Sequence, residues 1–465
     1  MLFHIAADLS SQRLRSAAPS NQDPLGVENQ FTYGLKPDLS LKNRESRRMA
    51  KPIIVIGAGI CGVSTALWLR RAGHEVLLVD QNAPGTGASF GNAGLLAQWA
   101  IVPVTEPSLW RHIPRYLIDP MSPLFVKWRY LPKLAPWLVK FLPHAAADKS
   151  RAITEALIPL LSDAVDQHKA LAKGTSAENW IADSAFSYAY RNRAAFEGDA
   201  YGWAMKKTAG LIPEVITGPA VREHEPILGP AISCLAVLKG QGHILDPLGY
   251  ITQLAAVFAD MGGKLIQTKV QDFERSGDKI QAVLTDQGRF ECDKIVVTAG
   301  IWSRALMGKL GLDVPLEAER GYHVIYKNPS QMPRNPMMMT TGKFGVTPMS
   351  DGLRCAGTVE LGGIELGPSK APIRLLRRRV AEAFPQFRYE TTEEWMGFRP
   401  STPDSLPLIG ELASSGIYTA FGHQHVGLTA GPKTGRLIAD LITGRLPNID
   451  MRPYDPARYA AIAAH

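Results

Sequence analysis

Cysteine is scarce: Cys61, Cys234, Cys292 and Cys355 are the only four in 465 residues. They are scattered without metal-ligand spacing and sit in stretches that read as strand or helix, so a disulfide framework and a metal cluster are both excluded, and reduced, buried thiols in a cytoplasmic protein are expected. Long apolar runs are missing too, and nothing approaches the length of a bilayer span. The net charge of +8 is small for this length and is not gathered into one run, which argues against a nucleic-acid partner. No Ser/His/Asp arrangement and no internal repeat is evident. With 45% hydrophobic residues the chain can bury two or three sizeable cores.

What is present is sharply organised. The apolar run Ile53 to Ile56 leads into Gly57-Ala58-Gly59-Ile60-Cys61-Gly62, and Asp80 ends the next apolar run. This order of buried strand, glycine turn, helix, second strand and acid is that of a dinucleotide-binding unit. Gly57 lets the chain turn, Gly59 lets backbone approach a pyrophosphate, and Gly62 lets the helix pack on the strand. A carboxylate at Asp80 accepts adenosine ribose hydroxyls and repels a 2′-phosphate. Gly73 stops the helix.

The first 48 residues are rich in Ser, Asn, Pro and charge and read as a disordered extension. Their acids spoil a targeting signal, and Met49, just before the first strand, is the expected start of translation; native peptides from upstream of it would overturn this. After Asp80 comes a small-residue loop, Gly85 to Gly94. Between Ile101 and Leu142, Trp110, Tyr116, Phe125, Trp128, Tyr130, Trp137 and Phe141 interleave with Arg111, Arg115, Lys127, Arg129, Lys133 and Lys140. That segment reads as a helical cover over a pocket, the alternative being peripheral contact with an anionic membrane, which would suit electron transfer to a quinone.

Helices are expected over 151–171 and 247–261, and strands over 264–268 and 269–273 with a hairpin at Ser276-Gly277-Asp278. A buried parallel strand is expected in 292–300, an antiparallel sheet between about 315 and 390, a strand over 417–421 and a helix over 433–442.

Five motifs in this order, GAGICG, SFGNAG, VVTAG, GFRPSTPDSLPLIG and GHQHVGLTAGPKTG, resemble the FAD-dependent amine and D-amino-acid oxidoreductases, most of all the bacterial D-amino-acid dehydrogenases, including those acting on D-proline and hydroxyproline. The likeness spans about 49–455. It implies an α/β fold: a Rossmann-like FAD-binding domain of the glutathione-reductase type (49–103, 246–303 and 395–455) with an inserted α+β, antiparallel-sheet substrate domain (104–245 and 304–394). It implies FAD contacts from Gly57, Ala58, Gly59, Ile60, Cys61 and Gly62, from Asp80 and Gln81, from Ser89, Asn92 and Gly94 in the flavin loop, and from Val270 at the adenine. Ala299 and Gly300 would lie beside the cofactor, and Gly427, Leu428 and Thr429 would offer backbone N–H groups to the flavin O2/N1 edge. Where some relatives carry a flavin-linking histidine this chain has Gly91, so noncovalent FAD is expected.

The resemblance also implies a substrate site. Arg399 would clamp a carboxylate bidentately; a residue-level alternative pairs it with Glu393, Glu394 or Asp404. Tyr322 would point its phenol into the pocket, although alone it reads as a core strand aromatic. His425, or its neighbour His423, would reach the substrate, and His243 is a weaker candidate. The implied reaction is hydride transfer from Cα of a D-amino acid to flavin N5, giving an imine and then a 2-oxo acid. A glycine- or sarcosine-type oxidase using O₂, a 2-hydroxy-acid dehydrogenase and a flavin-binding protein without turnover are the competing readings. The expected location is the cytoplasm, with attachment to the inner face of the plasma membrane as its variant.

Overall fold

The computed structural model describes residues 51–105, 107 and 124–459. The extension before Met49 and the residues Trp110, Arg111, Arg115 and Tyr116 lie outside them. In chain order the strands are β1 (Ile53–Ile56), β2 (Val76–Asp80), β3 (Leu95–Leu96), β4 (Leu124–Val126), β5 (Ile181–Tyr190), β6 (Glu214–Thr217), β7 (Cys234–Ile244), β8 (Lys264–Gln267), β9 (Val270–Ser276), β10 (Lys279–Thr285), β11 (Gly288–Glu291), β12 (Ile295–Val297), β13 (Glu317–Lys327), β14 (Met337–Met339), β15 (Phe344–Met349), β16 (Gly352–Leu361), β17 (Thr391–Ser401), β18 (Leu408–Glu411) and β19 (Ile417–Phe421).

β1 is apolar throughout because it is covered on both faces, and it lies inside a six-stranded sheet of order β18-β19-β12-β1-β2-β8. All pairs are parallel except β18 with β19. Val55 is fully buried, and such a side chain stabilises by about 1.5–3 kcal/mol; a charge there would break the layer. Two helices, Ile60–Arg71 and Gly427–Ile442, cross in close contact. A Cβ at Gly431 would come within 2.7 Å of Ile60, and one at Gly435 within 2.6 Å of the Thr65 nitrogen, so only glycine allows this approach.

A second, ten-stranded sheet has the main order β17-β13-β16-β15-β14-β5-β7-β3, with β4 beside β16 and β6 beside β7. It is largely antiparallel, as expected, with parallel pairs at β14–β5 and β16–β4. One face packs on the helix Lys370–Ala383 through Tyr322, Val324 and Cys355 against Ile373, Leu376 and Val380. A three-stranded sheet, β11-β10-β9, completes the fold. The four cysteines are free, three of them buried. No helix among the described residues is long and apolar enough to cross a membrane.

Three expectations about secondary structure are corrected. The helix expected over 151–171 is two, Ala147–Leu161 and Ala164–Ala172. Pro159 lies inside the first of these, and Lys433 donates to its carbonyl and to Asp163, the N-cap residue of the second. The helix Lys370–Ala383 occupies part of the stretch read as sheet. The last helix begins at Gly427 and not at Lys433. The domain boundary expected at 394/395 falls inside β17, which carries Arg399 in the large sheet.

Candidate active site

One cavity of about 1180 Å³ runs from the end of β2 to one face of β13, β16 and β17. At the first end the glycine turn forms its wall. Gly57 has φ +111°, and a Cβ there would lie 2.8 Å from the Thr298 backbone; one at Gly62 would lie 1.7 Å from the Gly57 carbonyl oxygen. This is a cradle only glycines can form. Gly57, Ala58, Gly59, Ile60 and Cys61 line the cavity, with Asp80, Gln81 and Val270 beside them. Asp80 has a further duty: its carboxylate accepts the Ala58 N–H at 2.7 Å and the Asn82 N–H at 2.8 Å, so it props the turn as well as facing the cavity.

Ser89, Asn92, Ala299 and Gly300 line the middle. Ser89 Oγ accepts the Ile60 N–H at 3.2 Å, tying the flavin loop to the first helix. The loop is also held from the large sheet. Arg354 donates to the Phe90 and Asn92 carbonyls at 2.9 and 2.7 Å, and His323 Nδ1 lies 3.1 Å from the Gly91 carbonyl. A Cβ at Gly91 would lie 1.8 Å from the Trp395 ring, which stacks on His323 at 5.2 Å. A side chain at position 91 therefore has no room.

Gly427, Leu428 and Thr429 also line the cavity, as the first turn of the last helix. The first intrahelical bond here is from Ala430 N–H to the Val426 carbonyl, which leaves the three preceding N–H groups without helical partners. Such a turn favours negative charge before it. Thr429 Oγ1 accepts from Ala97 N–H and donates to the Leu95 carbonyl. Two expected contacts do not reach the cavity. Gly62 serves the packing of helix on strand, and Gly94, with φ +73°, packs against β7, where a Cβ would meet the Ile244 carbonyl at 2.7 Å.

At the other end lies Arg399. Its guanidinium crosses Gly321 on the neighbouring strand, where a Cβ would come within 2.7 Å of Cζ. None of the three acids proposed as its partners takes it: Glu393 pairs with Lys327, Glu394 with Arg377 and Asp404 with Arg458. No acid among the described residues is within ion-pair distance of it. Burial lowers its pKa, and Glu319, directly opposite in the β13–β17 register, raises it. Burial in turn raises the Glu319 carboxyl, with Arg399 acting against the rise. Glu319 lines the cavity, yet nothing in the sequence singled it out.

His425 stands on the same wall, and its surface is open to the cavity. Desolvation, helped by the charge of Arg399, lowers its pKa to about 4. Tyr322 is a correction. It borders the cavity, but its hydroxyl donates to Glu360 at 2.8 Å and accepts the Ser369 N–H, on the side of the sheet that packs against the helix Lys370–Ala383. Strand alternation puts Arg399, Glu319 and Gly321 on one face and Tyr322, Arg320 and Glu360 on the other. His243, near Ser184, lies at the β5–β7 pair and not at this end. The segment 124–142 supplies an apolar wall through Leu124, Val126, Leu134, Trp137 and Leu138, which is the cover expected from its aromatics.

The glycine cradle, the half-buried Asp80 and the helix turn fit the two ends of an FAD, and residues 52–441 match the family model described as DAO, FAD dependent oxidoreductase. The chain belongs to this family. FAD is therefore its cofactor, and the protein is an FAD-dependent oxidoreductase. It is similar to a D-amino-acid oxidase of Bradyrhizobium diazoefficiens, 38% identical over 418 residues that cover 88% of this chain and 98% of the relative. A D-amino acid dehydrogenase of Allorhizobium ampelinum is 29% identical over 422 residues, covering 88% and 99%. The fold is that of a glycine oxidase from Bacillus cereus, with TM-score 0.64, 23% identity and 86% and 96% of the two chains covered. Among the described residues no group of His, Cys, Asp and Glu is arranged to hold a metal.

Proposed function

We propose that this oxidoreductase oxidises D-amino acids at Cα, giving an imine that water hydrolyses to a 2-oxo acid. The observation that carries the reading is Arg399, a guanidinium on the cavity wall with no acid among the described residues in ion-pair reach. A planar fork held over Gly321 takes a carboxylate bidentately, and poor solvent screening strengthens the pair. The D-amino-acid oxidase and dehydrogenase relatives support the choice of substrate class. Bound FAD supplies the two-electron acceptor for the Cα hydride.

The chain's own residues orient and polarise. Gly57 to Cys61, Asp80, Gln81 and Val270 would hold the adenosine and pyrophosphate half, and Ser89, Asn92, Ala299 and Gly300 the region beside the flavin. The N–H groups of Gly427, Leu428 and Thr429 would meet the pyrimidine edge, where fixed dipoles stabilise developing negative charge. Arg399 fixes the substrate through its carboxylate, and its charge lowers the pKa of the substrate amine, which must be neutral to form an imine. His425 is neutral above about pH 5 given its lowered pKa, and so offers a hydrogen bond rather than a charge. The apolar wall from Leu124 to Leu138 excludes water and suits an uncharged side chain, D-proline and hydroxy-D-proline included. The crowding of Gly91 by Trp395 supports a noncovalent cofactor. A FAD-binding domain on the six-stranded sheet and a substrate domain on the ten-stranded sheet fit this division of labour.

Anaerobic bleaching of the bound flavin by a panel of D- and L-amino acids, prolines, glycine, sarcosine and 2-hydroxy acids tests the proposal. Bleaching by D-enantiomers is expected; bleaching only by glycine and sarcosine, or only by hydroxy acids, would overturn it. Peroxide yield against reduction of a quinone or dye then assigns the electron acceptor.

A further inference from the structure

His423 sits where three elements meet. Its Nδ1 lies 3.7 Å from Cys61 Sγ in the first turn of the helix Ile60–Arg71, and its Nε2 lies 3.0 Å from Thr434 Oγ1 in the last helix. Its backbone bridges to Ser401, two residues beyond Arg399. The following residue, Gln424, takes φ +49° and donates its N–H to the Pro400 carbonyl at 3.1 Å, while Val426 N–H donates to the His423 carbonyl at 2.9 Å. The residue is 3% exposed. Burial pushes its pKa down to about 3 and that of the Cys61 thiol up to about 12, so both stay neutral. A neutral thiol can donate only weakly to Nδ1, which leaves Nε2–H to donate to Thr434.

We infer that His423 is a positioning residue: it fixes the first turn of the last helix against the glycine turn and against Arg399, and thereby sets how strongly the bound flavin is polarised. The two helices touch through Gly431 and Gly435, and Trp68 Nε1–H donates to the Pro432 carbonyl at 3.1 Å between them. Dispersion alone permits sliding along such a face, whereas a buried hydrogen bond has a preferred length and angle. The His423–Thr434 bond joins the turn before the last helix to the helix itself, and together with the His168 Nε2 contact to the Leu428 carbonyl at 2.9 Å and the Thr429 Oγ1 bonds it orients the N–H groups of Gly427 to Thr429 that lie between. A shift of a few tenths of an ångström there changes the field on the pyrimidine edge, because charge interactions are poorly screened in a buried site. The inference rests on the family's FAD and on the reading of those N–H groups as its donors, and not on the identity of the substrate.

Sulfite titration of the FAD-loaded protein, followed by loss of flavin absorbance, together with the flavin midpoint potential from dye equilibration, tests it without turnover. His423→Leu and Thr434→Val are expected to weaken sulfite affinity by about tenfold, the effect of losing one net hydrogen bond, and to lower the potential. His423→Gln, whose amide nitrogen can stand near the Nε2 position, should restore most of both. A His423→Leu protein that retains FAD and takes up sulfite within about twofold of wild type would overturn the inference; should that variant not fold, Thr434→Val carries the same criterion. A wild-type protein that takes up no sulfite would overturn the donor reading and the inference with it, while leaving the substrate proposal standing.

Discussion

Glu319 and Arg399 are directly opposed across β13 and β17, and both face the cavity. The guanidinium nonetheless leans over Gly321 and forms no ion pair with the glutamate, so its hydrogen-bonding fork stays available to a ligand. Removing it should be felt chiefly by the substrate. Arg399→Ala is expected to lose about 2–4 kcal/mol of carboxylate recognition, or about 30- to 1,000-fold in kcat/KM, with FAD still bound. Steady-state kinetics on the FAD-loaded variant check this, and a loss below about threefold would refute the clamp.

The same pair makes a prediction about stability. Burial raises the Glu319 carboxyl, and Arg399 only partly offsets the rise. A carboxyl raised in the fold contributes stability that is fully present below its ordinary pKa and lost as pH climbs through the raised value. Glu319→Gln should therefore gain on wild type as pH rises above the ordinary glutamate value of about 4. Paired melting curves across that range would show it, and a constant difference would count against it.

His425 should not govern the pH profile. With its pKa near 4 it is already neutral across the range in which free imidazole titrates. His425→Gln is expected to lower kcat/KM by less than about tenfold, one hydrogen bond's worth, and to leave the shape of the pH–rate curve unchanged. An acidic limb that disappears in this variant would mean that the wild-type imidazole titrates during turnover.

Gly91 and Trp395 compete for one space. Gly91→Ala should cost about 1–3 kcal/mol through overpacking, and Trp395→Leu in the same chain should recover part of it, a coupling that a double-mutant cycle would measure. Acid precipitation of the wild-type protein should release its FAD into the supernatant. Flavin that stays with the pellet would contradict noncovalent binding.

Tyr322→Phe should affect folding more than chemistry. Glu360 would lose one donor while keeping Arg320 at 3.2 Å, a destabilisation of about 1–3 kcal/mol, with KM within about threefold of wild type. A large rise in KM with an unchanged melting temperature would return the phenol to the substrate site.

The dinucleotide unit was legible because each step of it has a local cause: an apolar run, glycines where side chains collide, an acid at a strand end. Arg399 was legible through its motif. For Tyr322 the resemblance implied a phenol in the pocket, whereas the residue taken alone read as a core strand aromatic, and its hydroxyl bonds Glu360 on the packed face. The start of the last helix was missed for a different reason, since Gly427, Gly431 and Pro432 argue locally against a helix, while close packing on the first helix demands glycine at 431 and 435. Glu319, His323, Arg354 and Trp395 were invisible because their partners lie far away in the chain.

Arg354 and His323 hold three successive carbonyls of the flavin loop from β16 and β13, the sheet whose other strand carries Arg399. Reshaping the pocket through those strands would drag the flavin environment along, so new substrate range and altered electron affinity would be inherited together. A redesign that changes one trait alone has better prospects in the helix Leu131–Phe141, which lines the cavity through Leu134 and Leu138, packs on Leu361 and takes no part in holding those three carbonyls.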